Sequence, residues 1–331
     1  MHIVLYHDAL IPPPKYGGTE RVIAWLSRAL VTLGHRVSLI AHPGSSIPGV
    51  ETIPYRLDPH LSWETRIPGD ADILHLWNTP RPLPKLPYVV TIGGHGQFGE
   101  LFAPNTVFVS RKHAEIHGSP HFVHNGIDPD DYFCDEKRED YAVFLAKASW
   151  KVKNLKGAIS VARKAGIELR VMGSRDLPFH LNRVFAPKWR GVRYLGMLGD
   201  LEKREVLRKA KALIFPVRWH EPFGLAITES LASGCPVFGT PYGSIPEIIT
   251  RQTGVLSDRA QELADALRGQ TFSPSQCRKR VFEGFTHLQM AQNYVRLYEQ
   301  VLNRGQLVPS VEKVTYREKL PAQSLLGWDT R

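Results

Sequence analysis

Two carboxylates, Glu221 and Glu229, stand eight residues apart around the turn Pro222-Phe223-Gly224, within the run Arg218-Trp219-His220-Glu221-Pro222-Phe223-Gly224-Leu225-Ala226-Ile227-Thr228-Glu229. The apolar segment Ala212-Leu213-Ile214-Phe215-Pro216 before it reads as a buried strand. The residues from about Gly224 to Ser233 read as a helix that stops at Gly234. A strand opening into a helix N-terminus presents free backbone N–H groups and the positive end of the helix dipole, which suits a phosphate or a sugar hydroxyl. Glu229 then lies about one and a half turns into the helix, on the side of residues 225 and 226, within reach of a ligand resting on the turn. Glu221 flanks the same mouth. A solvated acidic face is the competing explanation for two glutamates so spaced. The Pro-Phe-Gly between them and Gly234-Cys235-Pro236-Val237 after them weigh against it.

Other chemistry-bearing stretches are less specific. In Pro12-Pro13-Pro14-Lys15-Tyr16-Gly17-Gly18-Thr19-Glu20-Arg21, Gly17 and Gly18 permit close backbone approach to a phosphate at the start of a helix. Asp70-Ala71-Asp72 and Asp128-Pro129-Asp130 spell D-x-D, a metal-binding pattern of some sugar-transferring enzymes, but the first precedes a strand and the second lies in a turn-rich linker. His113-Ala114-Glu115-Ile116-His117 places two histidines at i, i+4 without the adjacent His-Glu start of a zinc protease, and is expected on the surface. No metal is expected.

The positioning elements alternate. Strands are expected at His2–Tyr6, Val37–Ala41, Val50–Pro54, Ile73–Trp77, Tyr88–Ile92, Val107–Val109 and Phe122–His124. A helix over Thr19–Leu33, capped by Thr19 and ended by Gly34, lies among them. A second series begins near Tyr141, with strands Ala142–Ala146, Leu169–Met172, Val192–Leu195, Leu213–Phe215 and Val237–Gly239. Its helices are Leu155–Lys164, Leu201–Lys209 and Leu225–Ala232, with a closing helix over Phe285–Leu302. Two β/α series predict two doubly wound, Rossmann-like parallel-sheet domains facing a central cleft. Their expected spans are 1–135 and 136–302, the last helix crossing back or not, followed by a tail over 303–331.

Composition sets the limits. At 331 residues, with 43% hydrophobic and 22% charged residues, the chain fits two ordinary globular domains. It has neither a membrane-length apolar run nor the layout of a signal peptide. Three scattered cysteines, Cys134, Cys235 and Cys277, give no disulfide framework. A cytoplasmic protein is expected. Residues 1–135 carry 10 Lys/Arg against 13 Asp/Glu, and residues 136–331 carry 32 against 19. A basic second half implies an anionic partner such as a nucleotide diphosphate, a nucleic acid or an anionic lipid.

The Glu221–Glu229 run resembles the E-x7-E motif of retaining GT-B glycosyltransferases of family GT4. The linker Asn125-Gly126-Ile127-Asp128-Pro129-Asp130-Asp131-Tyr132-Phe133 resembles that family's P-N-G-(V/I)-D-x-x-x-F segment, with His124 where Pro is common. The resemblance spans residues 1 to about 302. It implies transfer of a hexose from a nucleotide diphosphate sugar to a hydroxyl acceptor, without a metal. In Phe144-Leu145-Ala146-Lys147-Ala148-Ser149-Trp150-Lys151-Val152-Lys153-Asn154 it puts Lys147 in place of an Arg, and Lys153 (or Lys151) in place of the Lys that stabilises the leaving diphosphate.

The resemblance further assigns Glu229 to the ribose hydroxyls and Glu221 to the donor sugar. Phe223, Gly224 and Leu225 contact sugar and phosphate by main chain. The strand ends Met172-Gly173-Ser174 and Leu195-Gly196-Met197-Leu198 frame the base, with Gly173 and Met197 in contact. The Gly17-Gly18 loop faces the donor, and His95, in Thr91-Ile92-Gly93-Gly94-His95-Gly96, lies near the reacting centre. His75, His113 and His117 serve structure or acceptor binding. The alternatives are a sugar-nucleotide 2-epimerase of the same fold, against which the E-x7-E motif argues, and a basic nucleic-acid-binding protein, for which no aromatic–basic stacking module is visible. Neither a nucleic-acid partner nor more than weak membrane contact is expected, since the first domain is net acidic.

Overall fold

The computed structural model describes residues 1–15, 17–55, 62–96, 99–173 and 191–307. Two parallel six-stranded sheets carry the fold. Their inner strands are short apolar runs buried on both faces, as sheets covered by helices require, whereas Glu51–Pro54 and Val192–Gly196 are only half-buried.

The first sheet contains β1 (His2–Tyr6), β2 (Arg36–Ala41), β3 (Glu51–Pro54), β4 (Ile73–Leu76), β5 (Tyr88–Ile92) and β6 (Thr106–Phe108), in the order β3-β2-β1-β4-β5-β6. Helix α1 (Gly18–Thr32) follows β1 and buries Val22, Ile23, Leu26 and Leu30 at helical spacing. Its N-cap is Gly17 and no side chain caps it, so Thr19 lies inside the first turn rather than at the cap expected for it. The short α2 (Arg111–Ile116) follows β6. The strand expected at Phe122–His124 does not form; Phe122 makes only an isolated bridge to Phe108.

The second sheet contains β7 (Glu139–Leu145), β8 (Glu168–Met172), β9 (Val192–Gly196), β10 (Ala210–Phe215), β11 (Val237–Gly239) and β12 (Gly254–Leu256), in the order β12-β11-β10-β7-β8-β9. Its helices are α3 (Leu155–Ala165), α4 (Asp200–Lys209), α5 (Leu225–Ala232), α6 (Ile245–Ile248), α7 (Ala260–Gly269) and α8 (Pro274–Gly284). Leu169, Val171, Ile214 and Phe238 of the sheet pack with Ile159, Val161, Leu263 and Leu267 of α3 and α7 in one core.

The chain divides into two compact units, and the division is not the expected one at 135/136. The first unit holds Met1–Pro13, Gly17–Asp128 and the chain from Gly284 through α9 (His287–Arg304); the second holds Pro129–Glu283 together with Pro14 and Lys15. Helix α9 belongs to the first unit for a specific reason. Tyr298 Oη lies 2.6 Å from His75 Nδ1, Tyr294 Oη lies 2.8 Å from Thr91 Oγ1, and His75 Nε2 lies 2.7 Å from Thr91 Oγ1. All four side chains are buried, so each polar atom depends on the others. The backbone N–H of Ile127 and of His287 close a short parallel bridge with the carbonyls of Phe285 and Ile127. Most of the expected tail lies outside the described residues.

Candidate active site

In the second sheet the strand order reverses between β7 and β10, which lie side by side with Leu213 opposite Val143. The crevice outside the carboxyl ends of strands at such a reversal is where open α/β sheets take ligands. The loops leaving β7 and β10 are fastened to each other there. Asn154, left-handed at φ 57°, caps α3 by accepting from Gly157 N at 3.0 Å. Its Nδ2 donates to the carbonyl of Pro216 at 2.9 Å, and Arg218 N donates to the carbonyl of Val152 at 2.7 Å. These bonds bring Lys153 of one loop to Glu221 of the other.

Lys153 Nζ donates to both carboxylate oxygens of Glu221, at 2.9 and 2.7 Å. Trp219 Nε1 donates to Glu221 Oε2 at 2.5 Å. The ammonium also sits 4.6 Å from the Trp219 ring centroid and 5.6 Å from that of Phe215. Glu221 is 6% exposed, which rules out a solvated acidic face. Lys151, the other candidate at this position, is exposed and is not Glu221's partner. The Glu221 backbone is fixed from behind: it bridges Gly243, and Ser244 N donates to its carbonyl at 2.9 Å. Gly243 has φ +67°, and a Cβ there would stand 2.3 Å from Glu221 N and O, so only glycine fits.

Glu229, 5% exposed, is held by a second cation. Tyr132 Oη donates to its Oε1 at 2.9 Å, and Lys203 Nζ of α4 donates to the same oxygen. Oε2 accepts from none of the described residues. Lys203 also pairs with Asp200 at 3.1 Å. Burial, then the Glu229 carboxylate, push the Tyr132 hydroxyl well above its ordinary range, so it remains a donor. The site therefore contains two charge-compensated buried carboxylates, one on each side of the α5 N-terminus.

The remaining donor-side residues fall around the same strand ends. Gly224, at φ +90°, caps α5, and a Cβ on it would meet Ile227 Cδ1 at 3.0 Å and Glu221 Cγ at 3.3 Å. Leu225 begins that helix, and the buried Phe223 gives its carbonyl to Ser244 Oγ at 2.6 Å. Gly173, at φ +95°, ends β8 with its N–H on the carbonyl of Gly196; a Cβ would stand 2.3 Å from the Ala146 carbonyl oxygen. The ends of β7, β8 and β9 thus meet through main chain, with the half-buried Met197 next along. Lys147 lies over the Trp150 ring at 5.1 Å and takes no part in either carboxylate pair. Ser174 and Tyr16 lie outside the described residues.

In the first unit, Gly17 and Gly18 stand at the start of α1. Gly17 has φ +152°, and a Cβ would lie 2.7 Å from Glu20 Oε2 and 2.8 Å from Pro13 Cβ. The half-buried His95 is joined by two histidines that the sequence placed on the surface. His113 and His117 are 1% and 4% exposed, a correction with a packing cause. The His117 ring stacks on Phe108 at 4.8 Å, and His113 meets the same ring edge-on at 4.9 Å. His95 Nδ1 lies 3.4 Å from His117 Nε2, and His113 Nε2 lies 2.9 Å from the Gly94 carbonyl oxygen. Burial is the main cause that lowers His117 to about 4 and His113 well below its ordinary value. The two D-x-D stretches are structural: Asp70 pairs with Arg36 and His2, and Asp128 with Arg28 and His287.

Sequence reasoning missed Trp219, Tyr132 and Lys203. Trp219 was visible beside the motif, and Tyr132 sits in the linker at the place of the family's aromatic residue. Lys203 carried no local signal, since its role follows from where α4 packs.

A family model described as "Glycosyl transferases group 1" matches residues 140–269, most of the second unit. No curated protein sequence matches the chain significantly. Among solved structures, AviGT4, a glycosyltransferase involved in avilamycin A biosynthesis, is similar at 23% identity and TM-score 0.77, over 92% of this chain and 98% of that one. Sucrose-phosphate synthase from Thermosynechococcus elongatus is similar at 15% identity and TM-score 0.69, over 91% and 99%. Anabaena HepE in complex with UDP-glucose is similar at 15% identity and TM-score 0.64, over 92% and 100%. The chain has the α/β fold of these proteins, with two Rossmann-like parallel sheets.

Proposed function

We propose that this chain is a retaining glycosyltransferase of the GT4 kind, moving a hexose from a nucleotide diphosphate sugar to a hydroxyl acceptor in the cytoplasm without a required metal. The observation that carries the proposal is the pair of buried glutamates at the strand-order reversal, each compensated by its own lysine and flanking the α5 N-terminus. The family-model match over the second unit and the UDP-glucose complex of HepE support a nucleotide-sugar donor.

In this reading the chemistry is a redistribution of charge. As the bond from the anomeric carbon to the diphosphate breaks, negative charge grows on the leaving group and positive charge on the sugar. Lys153, Lys147 and the N–H groups at the start of α5 stabilise the diphosphate. Glu221 takes sugar hydroxyls and favours the cationic anomeric carbon. Glu229 Oε2, with acceptor capacity to spare, takes the ribose hydroxyls.

The test is calorimetric titration with UDP, GDP, ADP and their common sugar conjugates, without metal, on wild type and Glu229→Ala. Micromolar binding of one nucleotide, lost in the variant, supports the donor site; no binding to any of them overturns it. NMR of the anomeric proton in the first product then reads retention or inversion.

A further inference from the structure

We infer that His95, His113 and His117 form a three-imidazole site for a borderline divalent transition metal, with Zn²⁺ as the representative ion. The proposal is independent of the donor-site reading, because all three residues lie within the first unit.

Each histidine offers one ring nitrogen, and the three nitrogens lie within 4.8 Å of one another. Tetrahedral zinc with Zn–N near 2.0–2.1 Å sets its ligand nitrogens about 3.3 Å apart. His95 Nδ1 and His117 Nε2 already stand 3.4 Å apart, one edge of that tetrahedron. The ring centroids tell the same: His95–His113 at 5.0 Å, His113–His117 at 5.2 Å and His95–His117 at 5.6 Å. Imidazoles around one tetrahedral ion have centroids roughly 5 Å apart, since each centroid lies about 1 Å beyond its ligating nitrogen. The widest nitrogen separation must still close by about 1.5 Å for all three rings to hold one ion.

Two further features suit a metal. His113 and His117 are i, i+4, on α2 and at its C-cap, so a single turn of helix sets their spacing. The rings of Phe102 and Phe108 pack against His117, at 5.4 and 4.8 Å, and hold its plane. Against these, His113 Nε2 donates to Gly94 O and its Nδ1 accepts from Val109 N at 3.5 Å, so the metal must displace one of the two contacts to take this ring. An all-imidazole set selects Zn²⁺, Co²⁺, Ni²⁺ or Cu²⁺ over Mg²⁺ and Ca²⁺, which take oxygen ligands. Three protein ligands leave a fourth position for water. Because the metal would occupy the lone pair of His95, loading opposes any use of that nitrogen in transfer.

The experiment is titration of the untagged full chain with ZnCl₂ by calorimetry and with CoCl₂ by visible absorption. One equivalent of Zn²⁺ is expected, with Co²⁺ giving the intense visible bands of tetrahedral coordination. His95→Gln, at a half-buried position, and His117→Gln should each weaken Zn²⁺ binding more than tenfold. His42→Gln, at an exposed position, should leave it unchanged. Circular dichroism separates lost ligation from lost fold, and His95→Gln decides the matter if His117→Gln unfolds. Failure of wild type to bind Zn²⁺, or equal binding by His95→Gln, overturns the site. Neither outcome bears on nucleotide binding.

Discussion

Lys153 Nζ bridges both oxygens of Glu221, at 2.9 and 2.7 Å, and so joins the loop after β7 to the loop after β10. The pair is buried, Lys153 at 12% and Glu221 at 6% side-chain exposure. Removing one member leaves the other charge uncompensated, a loss of about 3–5 kcal/mol in buried pairs. Lys153→Ala should therefore destabilise the second unit in urea unfolding. It should also lower turnover by on the order of 10²-fold, as expected for a charge-stabilising group. Steady-state kinetics should place the loss mainly in kcat. Unchanged kcat would remove Lys153 from the reaction.

Glu229 makes a different prediction. Glu229→Gln keeps the shape and the Tyr132 contact but loses the charge facing Lys203. Nucleotide binding should weaken by about tenfold, roughly 1.4 kcal/mol. Tyr132→Phe removes one of two donors to Oε1 and should cost about 1 kcal/mol or less. Calorimetry on both variants gives the ranking; a larger effect from Tyr132→Phe would contradict the role given to Glu229.

Gly243→Ala tests the support behind Glu221. The left-handed φ and the 2.3 Å approach to Glu221 main chain make any Cβ a direct clash. Backbone strain of this kind costs on the order of 1–3 kcal/mol before the clash is relieved. The expected result is a lower urea midpoint together with reduced turnover, because relief must move Glu221. A stable variant of full activity would mean that Glu221 tolerates displacement.

His75 predicts a pH dependence of stability. Burial among Tyr294, Tyr298, Thr91 and Trp77 lowers its pKa from 6.5 to about 3. The unfolded chain binds a proton there below about 6.5, while the folded chain does so only below about 3. Stability from this group is thus full above about pH 6.5 and falls as pH drops towards 3, by up to about 1.4 kcal/mol per pH unit. Urea unfolding from pH 7.5 to 4.5 should show this slope, and His75→Gln should reduce it by one group's share, since His113 and His117 are lowered in the same way. An unchanged slope in the variant would assign the acid sensitivity elsewhere.

The strands were legible because parallel sheets demand continuous apolar runs; β1 and β5 lie at the bounds their sequences suggest. Helix α8 was not, since its face carries Arg278, Lys279 and Arg280 and it buries only Cys277 and Val281. Strand β12 is three residues long and shows no period of its own. In the site, Glu221 and Glu229 announced themselves through a local turn. Their lysines did not announce themselves equally: Lys153 stood in a recognisable segment, whereas Lys203 arrives from a helix 26 residues away in sequence. The histidine cluster was half legible, as His113 and His117 share a helical spacing but His95 reaches them through the packing of β5 beside β6.

The placement of α9 has a consequence for biosynthesis. The polar pocket of His75 and Thr91 lies on strands made early, yet Tyr294 and Tyr298 leave the ribosome more than 200 residues later. A nascent chain emerging at about 5–20 residues per second must wait upwards of about ten seconds for them. During that interval the main span of the second unit, Pro129–Glu283, has all its strands available and can finish first. The N-terminal sheet is therefore begun first and closed last, and its exposed strands are the interval in which a chaperone would be needed.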